Sequence, residues 1–117
     1  MAALVRCFTY SCISSAPINA ASGVYRTDSV SLLKQPYLAR QAVIATTSSA
    51  QSTGEALSPR GTTILHVEVE PGATVAYEIN PPGRATPADA SSPRVSGASN
   101  FEFGVGWTVS FLEIPVA

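Results

Sequence analysis

One grouping in this chain has both the residue types and the spacing for chemistry: His66, Glu68 and Glu70, at i, i+2 and i+4. On a strand all three project from one face at intervals of roughly 7 Å, near enough for two of them to share a metal ion. The plainer reading is a solvated strand face, because His66 is the chain's single histidine. The His-x-Glu here also lacks the downstream Pro-Cys-x-x-Cys of the zinc deaminases. A Ser-His-acid triad would have to use His66, and no Gly-x-Ser-x-Gly elbow presents a nucleophile. Gly104-x-Gly106 has neither the third glycine nor the following helix that a phosphate site needs, so it reads as a turn. Trp107 and Tyr77 would stack on a sugar if exposed, but their alternation with polar neighbours makes them core residues. Cys7 and Cys12 are too few for a disulfide framework and have no second half of a metal site elsewhere. They read as free thiols, with a local bridge across a tight turn as the alternative. Neither catalysis nor a metal or cofactor is expected.

The element that positions the histidine and its two glutamates runs from Thr62 to Asn80. Leu65, Val67 and Val69 alternate with His66, Glu68 and Glu70, and after Pro71-Gly72 the residues Val75, Tyr77 and Ile79 alternate with Ala76 and Glu78. This is the period-two pattern of two strands with one buried face, and it predicts a β-hairpin. Joining the apolar rows requires Val69 opposite Val75, Val67 opposite Tyr77 and Leu65 opposite Ile79. A two-residue Pro-Gly turn would instead set Glu68 opposite Val75. The expected connection is therefore three residues, Pro71 to Ala73, or a bulge beside the turn.

A length of 117 residues predicts one domain, residues 1–117. Charged residues are 13% of the chain, about half the usual share, which suits a surface that is largely covered. With 8 Gly and 9 Pro scattered along the sequence, and Pro36 interrupting the one helix-like run from Ser31 to Ala45, the class is all-β with essentially no helix. The net charge of −1 argues against nucleic-acid binding, and no run approaches the roughly 20 apolar residues of a membrane span. The charge is polarised along the chain. Arg6, Arg26, Lys34, Arg40 and Arg60 outnumber Asp28 and Glu55 in the first half. Glu68, Glu70, Glu78, Asp89, Glu102 and Glu113 outnumber Arg84 and Arg94 in the second. Two halves of opposite sign are suited to meeting between subunits or orienting the protein on a charged scaffold.

The N-terminal segment, about residues 1–23, is expected to be extended from Leu4 to Ile13, and Arg6, Thr9, Tyr10 and Ser11 interrupt what a signal peptide would need as an apolar run. Strands are expected at Val24–Lys34 and Ala39–Thr47, with Pro36 and Tyr37 between them. Ser48–Gly61 reads by composition as a surface loop. Residues 80–94 carry four prolines and read as a stiff excursion away from the sheet, of a length that commonly contacts a partner. Short strands follow at Val95 and at Asn100–Phe103. The last strand places Trp107, Val109 and Phe111 on one face and Leu112 and Ile114 on both sides of Glu113. With Leu112 and Ile114 on the face opposite Phe111, apolar residues on both faces there suggest that something outside the sheet, such as another subunit, covers one of them.

The Tyr77–Arg84 turn-off, Tyr-Glu-Ile-Asn-Pro-Pro-Gly-Arg, and the closing Phe-Gly-Val-Gly-Trp-Thr-Val-Ser-Phe-Leu-Glu of Phe103–Glu113 give residues 62–114 a resemblance to the small accessory proteins of tailed bacteriophages. The resemblance implies an antiparallel β-sandwich or small jelly-roll-like β-barrel. It implies a virion location on the capsid surface, self-association as a trimer, and a decoration or cement role on the major capsid protein, or a minor tail or head-fibre position. Arg6 and Tyr10 in the extended segment, Pro81, Pro82 and Arg84 in the proline loop, and Leu112 and Ile114 near the end are the expected contact residues. A carbohydrate-binding or adhesion sandwich is the alternative, with aromatic exposure as the discriminating feature.

Overall fold

β-Branched and aromatic residues alternating with small polar ones, between frequent prolines, leave strands as the means by which this chain buries its apolar side chains. The computed structural model describes residues 2–14 and 31–115. Eight strands form: β1 (Ala2–Ser14), β2 (Ser31–Thr46), β3 (Gln51–Ser52), β4 (Ile64–Val69), β5 (Thr74–Asn80), β6 (Arg94–Val95), β7 (Ala98–Glu102) and β8 (Thr108–Ile114). A 3-10 turn at Glu55–Leu57 is the one helical element among the described residues. Two antiparallel four-stranded sheets, ordered β2-β1-β4-β7 and β3-β8-β5-β6, enclose a common core. The fold is thus the expected all-β sandwich, and it is open, not a closed barrel.

The pairings are nested. β5 pairs with β6, β4 with β7, β3 with β8 and β2 with β1. A long antiparallel ribbon rolled onto itself gives this order, the jelly-roll arrangement. Here β1 occupies the place that a strand following β8 would take. Ala2 and Pro115 accordingly line one hollow, where β1 begins and β8 has ended.

The expected hairpin does not form. Both strands are present, but β4 pairs with β1 and β7 in one sheet while β5 pairs with β6 and β8 in the other. Ala73 N donates to Glu70 O at 3.2 Å, and Gly72 lies at φ 85°, so Glu70–Ala73 is a tight turn with Pro and Gly in its two central places. That is the type II pattern, and glycine is the residue that tolerates its positive φ. Type II turns splay the strands they join. The connection is therefore an arch from sheet to sheet, and Val69/Val75, Val67/Tyr77 and Leu65/Ile79 are not ladder partners. Their rows meet across the core instead, where Leu65, Val67, Val69 and Val75 are buried and Tyr77 and Ile79 pack against them. The last strand does lie beside β5, with Phe111 opposite Tyr77 and Val109 opposite Ile79.

Other expectations change for equally local reasons. The N-terminal segment is no free arm over residues 2–14: β1 is a central strand, hydrogen-bonded to β2 and β4. Beyond Tyr10 it pairs with β2 alone, so Ser11–Ser14 and Ser31–Lys34 form a ribbon running past the end of β4. The remainder of the segment to residue 23, and the expected strand before Ser31, lie outside the described residues. Pro36 does not divide β2. Thr9 pairs with Ala39 and Ser11 with Lys34, so Gln35–Leu38 bulge out opposite Tyr10. A proline, lacking a backbone donor, is accommodated at such a bulge on an edge strand.

Ser48–Gly61 is not a bare surface loop either. It contributes β3 and the 3-10 turn, and Leu57 is 1% exposed within the core. Ser58 Oγ donates to Glu55 O and accepts from Gly106 N at 3.0 Å, fastening this crossing to the far turn. Leu57→Ala is expected to cost about 2–5 kcal/mol, the range for deleting a buried leucine side chain. Val105→Ala, at a site 54% exposed, is expected to stay within about 0.5 kcal/mol. Urea denaturation of the two variants separates a core residue from a loop residue directly.

Candidate functional site

The two sheets treat their outer faces differently. On the β5–β8 face, Ala76, Glu78 and Asn80 stand beside Leu112, Ser110 and Thr108. The proline loop, expected to leave the sheet, folds back across them. Asn80 Nδ2 donates to Thr86 O at 2.9 Å while its Oδ1 accepts from Thr86 N at 3.2 Å. Ala88 N donates to the buried Ser110 Oγ at 3.0 Å. Ser92 Oγ donates to Glu78 Oε2 at 2.7 Å, Arg84 pairs with Glu78 Oε1 at 2.9 Å, and Tyr77 N reaches Pro93 O. Asp89 ties the loop to itself. Its carboxylate accepts from the Ser91 hydroxyl and amide and from Ser92, which holds it below the usual carboxylate range. Polyproline stiffness is thus spent on a lid whose polar backbone groups find partners on a polar sheet face.

The outer face of the β1 sheet has no such cover among the described residues. Alternation puts Ala3, Val5, Cys7 and Thr9 of β1 inside and Leu4, Arg6, Phe8 and Tyr10 outside. The registers assemble this face into rows running across the strands. Tyr37, from the β2 bulge, stands beside Tyr10, which is followed by Ile64 and Glu102. Next come Arg40, Phe8, His66 and Asn100, and then Ala42, Arg6, Glu68 and Ala98.

Aromatic rings cluster at the centre of this face. Phe8 meets Tyr37 edge-on at 5.4 Å between centroids, Tyr10 lies 6.5 Å from Tyr37, and His66 lies 6.4 Å from both Phe8 and Tyr10. The Arg40 guanidinium sits 6.0 Å from the Tyr37 centroid, in cation–π range. Among the described residues, three of the four large apolar side chains that stand exposed, Tyr37, Leu38 and Ile44, belong to β2. The apolar surface is therefore concentrated on this sheet. The bulge puts it there, because it lifts Tyr37 over Phe8 and Tyr10.

The face also engages the candidate chemical residues in structural bonds. His66 Nδ1 is 2.6 Å from Asn100 Oδ1, and Nε2 is 3.0 Å from Glu68 Oε2. Glu70 Oε1 accepts from Leu4 N at 2.9 Å, pinning the end of β4 to β1. Both ring nitrogens and both glutamates are thus occupied within the sheet. Among the described residues no three His, Cys, Asp or Glu come together as a metal-binding group. Tyr77 and Trp107 pack against the core beside Phe101 and Phe103, at 4.8 and 6.0 Å between centroids. Gly104–Trp107 is the expected turn, closed by Trp107 N donating to Gly104 O. The indole folds over Gly104 so closely that a Cβ there would lie 2.8 Å from Nε1.

The seven expected contact residues fall in three places. Arg6 and Tyr10 are on the outer face of the β1 sheet, where Arg6 is exposed but Tyr10, packed against Tyr37, is buried and so is not a free contact residue. Pro81, Pro82 and Arg84 lie at the base of the proline loop beside the Val105–Trp107 turn, with Pro82 against Gly106. Leu112 and Ile114 are half-buried at the other end of β8, opposite Ala76 and Thr74. Phe8, Tyr37, Arg40 and Glu68 join the open face without having been expected there. Arg6-x-Phe8-x-Tyr10 is itself a period-two signal, whereas Tyr37 reaches the face only through the bulge. Protein-family models, curated proteins and solved structures give no match to the chain.

Cys7 is a buried free thiol, and burial pushes its pKa up to about 12. Cys7 and Cys12 lie on one continuous strand, five residues and roughly 16 Å apart, so no tight turn brings them within disulfide reach. The native state holds the Cys7 proton while the unfolded chain releases it above its ordinary 9.0, so folding stability falls as pH rises between 9.0 and about 12. In a Cys12→Ser variant, iodoacetamide labelling at pH 8 is expected to track global unfolding. Fast labelling of the folded protein would mean that Cys7 is accessible.

Proposed function

We propose that this chain is a non-enzymatic structural protein of a virion, a decoration or cement protein that stabilises a tailed-bacteriophage head by bridging major-capsid subunits. The observation that carries the reading is the unequal finish of the two sheets. One outer face is closed by the protein's own loop, and the other is left with Tyr37 and Ile44 exposed and Phe8 half-buried. Contiguous apolar surface rimmed by charge marks a protein contact. Jelly rolls recur among viral capsid domains, and that analogy supports the class only. In this reading the open face joins copies of the chain, the Pro81–Arg84 and Val105 end meets the capsid, and the gain is buried interface without chemistry.

A carbohydrate-binding module is the second reading, favoured by the cluster of Phe8, Tyr10, Tyr37 and His66. The two separate cleanly. The purified chain, mixed with tailed-phage heads stripped of accessory proteins, is expected to co-sediment with one class of head and to raise its thermal resistance. A chain that stays in the supernatant with every head, yet binds immobilised glycans, would replace the first reading with the second.

A further inference from the structure

We propose that the open face of the β1 sheet binds the same face of a second copy of this chain about a two-fold axis parallel to the strands. The argument is one of symmetry and charge. The face is polarised across the sheet, with Arg40 and Arg6 on β2 and β1 and with Glu68 and Glu102 on β4 and β7. Only two two-fold axes lie in the plane between facing sheets along their principal directions. An axis across the strands sets β1 on β1 and β4 on β4, bringing arginine to arginine and glutamate to glutamate. An axis along the strands sets β2 over the partner's β7 and β1 over its β4, bringing opposite signs together.

The second arrangement makes a stricter demand, and three successive rows, those of Tyr37, Arg40 and Ala42, meet it. A two-fold parallel to the strands keeps every residue at its own level along them, so each row must complement itself read backwards. Ala42, Arg6, Glu68, Ala98 reversed places Arg6 over the second copy's Glu68, Glu68 over its Arg6, and alanine over alanine at both ends. Arg40, Phe8, His66, Asn100 reversed places Phe8 over His66 and the Arg40 guanidinium over the Asn100 amide. In the row of Tyr37, Tyr10, Ile64 and Glu102, Tyr10 is buried beside Tyr37, and reversal places the exposed Tyr37 phenol over the second copy's Glu102 carboxylate. No row brings like charges together. The small Ala42 and Ala98 leave shallow hollows on either side of Arg6, lined respectively by Phe8, Arg40 and Gln41 and by Leu4, Glu68 and Gly97, and these give the long side chains of the second copy somewhere to lie.

The association is a weak one. Four strands about 4.8 Å apart and about six residues long at ~3.3 Å each give a flat footprint of about 400 Å² per chain. That belongs with small transient interfaces, so the dimer forms in a concentration-dependent way. The two-fold also departs from the trimer that the sequence resemblance implies. This inference names the partner of the open face, and it rests on the assembly reading but not on the virion.

Sedimentation velocity from micromolar to several hundred micromolar protein tests it, with a thermal melt of each variant as a fold control. The wild type is expected to pass from monomer to dimer, less so at high salt. Arg6→Glu and Glu68→Arg each place like charges at two symmetric contacts and are expected to weaken dimerisation about tenfold or more. The double variant Arg6→Glu with Glu68→Arg restores opposite signs, both within the sheet and across the two-fold, and is expected to recover the dimer. It keeps the test alive if a single variant fails to fold. A wild type that is monomeric throughout, a trimer, single variants with unchanged association, or a double variant as weak as the singles would each overturn the proposal. Head co-sedimentation, scored separately, tells failure of the dimer from failure of the virion reading.

Discussion

Everything in this fold depends on two apolar rows meeting face to face instead of side by side. Leu65, Val67 and Val69 of β4 and Val75, Tyr77 and Ile79 of β5 belong to one continuous stretch, yet the type II turn at Pro71-Gly72 sends them into different sheets. A turn of the opposite hand would have zipped them into a ladder and left each row on the same surface. By splaying them, the turn makes the stretch into the spine of a sandwich. β1 and β7 then attach to one side of the spine, and β8 and β6 to the other. The core that results is filled by Phe103, Phe111, Leu57 and a set of valines.

Once two sheets enclose the core, two outer faces and four edges meet solvent, and the chain finishes them unequally. The edges β3 and β6 are two residues each, too short to template another strand. The β5–β8 outer face is covered by the proline loop, with the carboxylate of Glu78 and the hydroxyl of Ser110 as its fastening points. The β1 sheet keeps its outer face open, with the aromatic residues in its middle rows and opposite charges on its two sides. In the proposed dimer, this charge pattern is what sets which way round the second copy sits.

Much of this was legible in the chain, and the parts that were not have a common cause. Period-two patterns identify strands one at a time, so β4, β5, β7 and β8 were readable from Leu65, Val75, Phe101 and Phe111. Pairing is a relation between strands, and it turned on the hand of one turn at Gly72. Composition also misled wherever small polar residues were doing structural work. Ser58 and Thr53 are buried and hydrogen-bonded, and Leu57 between them plugs the core, although Ser48–Gly61 reads as a linker. Pro36 looks like a strand breaker but sits in a bulge. That same bulge made Tyr37 invisible as a surface residue and buries Tyr10 beside it, whereas the exposure of Arg6 follows from period-two alternation along β1. The charge asymmetry between the two halves of the chain was also readable. What it lacked was the sheet order, which sets the arginine-bearing β1 and β2 beside the glutamate-bearing β4 and β7 on a single face.

The most direct test of the account is an isotope-filtered nuclear Overhauser experiment on a one-to-one mixture of labelled and unlabelled chains at high concentration. Phe8 and His66 are neighbours within one chain, but in the mixture only contacts between chains survive the filter. The account predicts cross-chain signals between the Phe8 ring and the His66 ring, with the Tyr37 ring to the Glu102 side chain as a second pair. Cross-chain signals confined to the Pro81–Arg84 loop or to Val105, or none at all, would contradict it, leaving the open face for a partner other than a second copy.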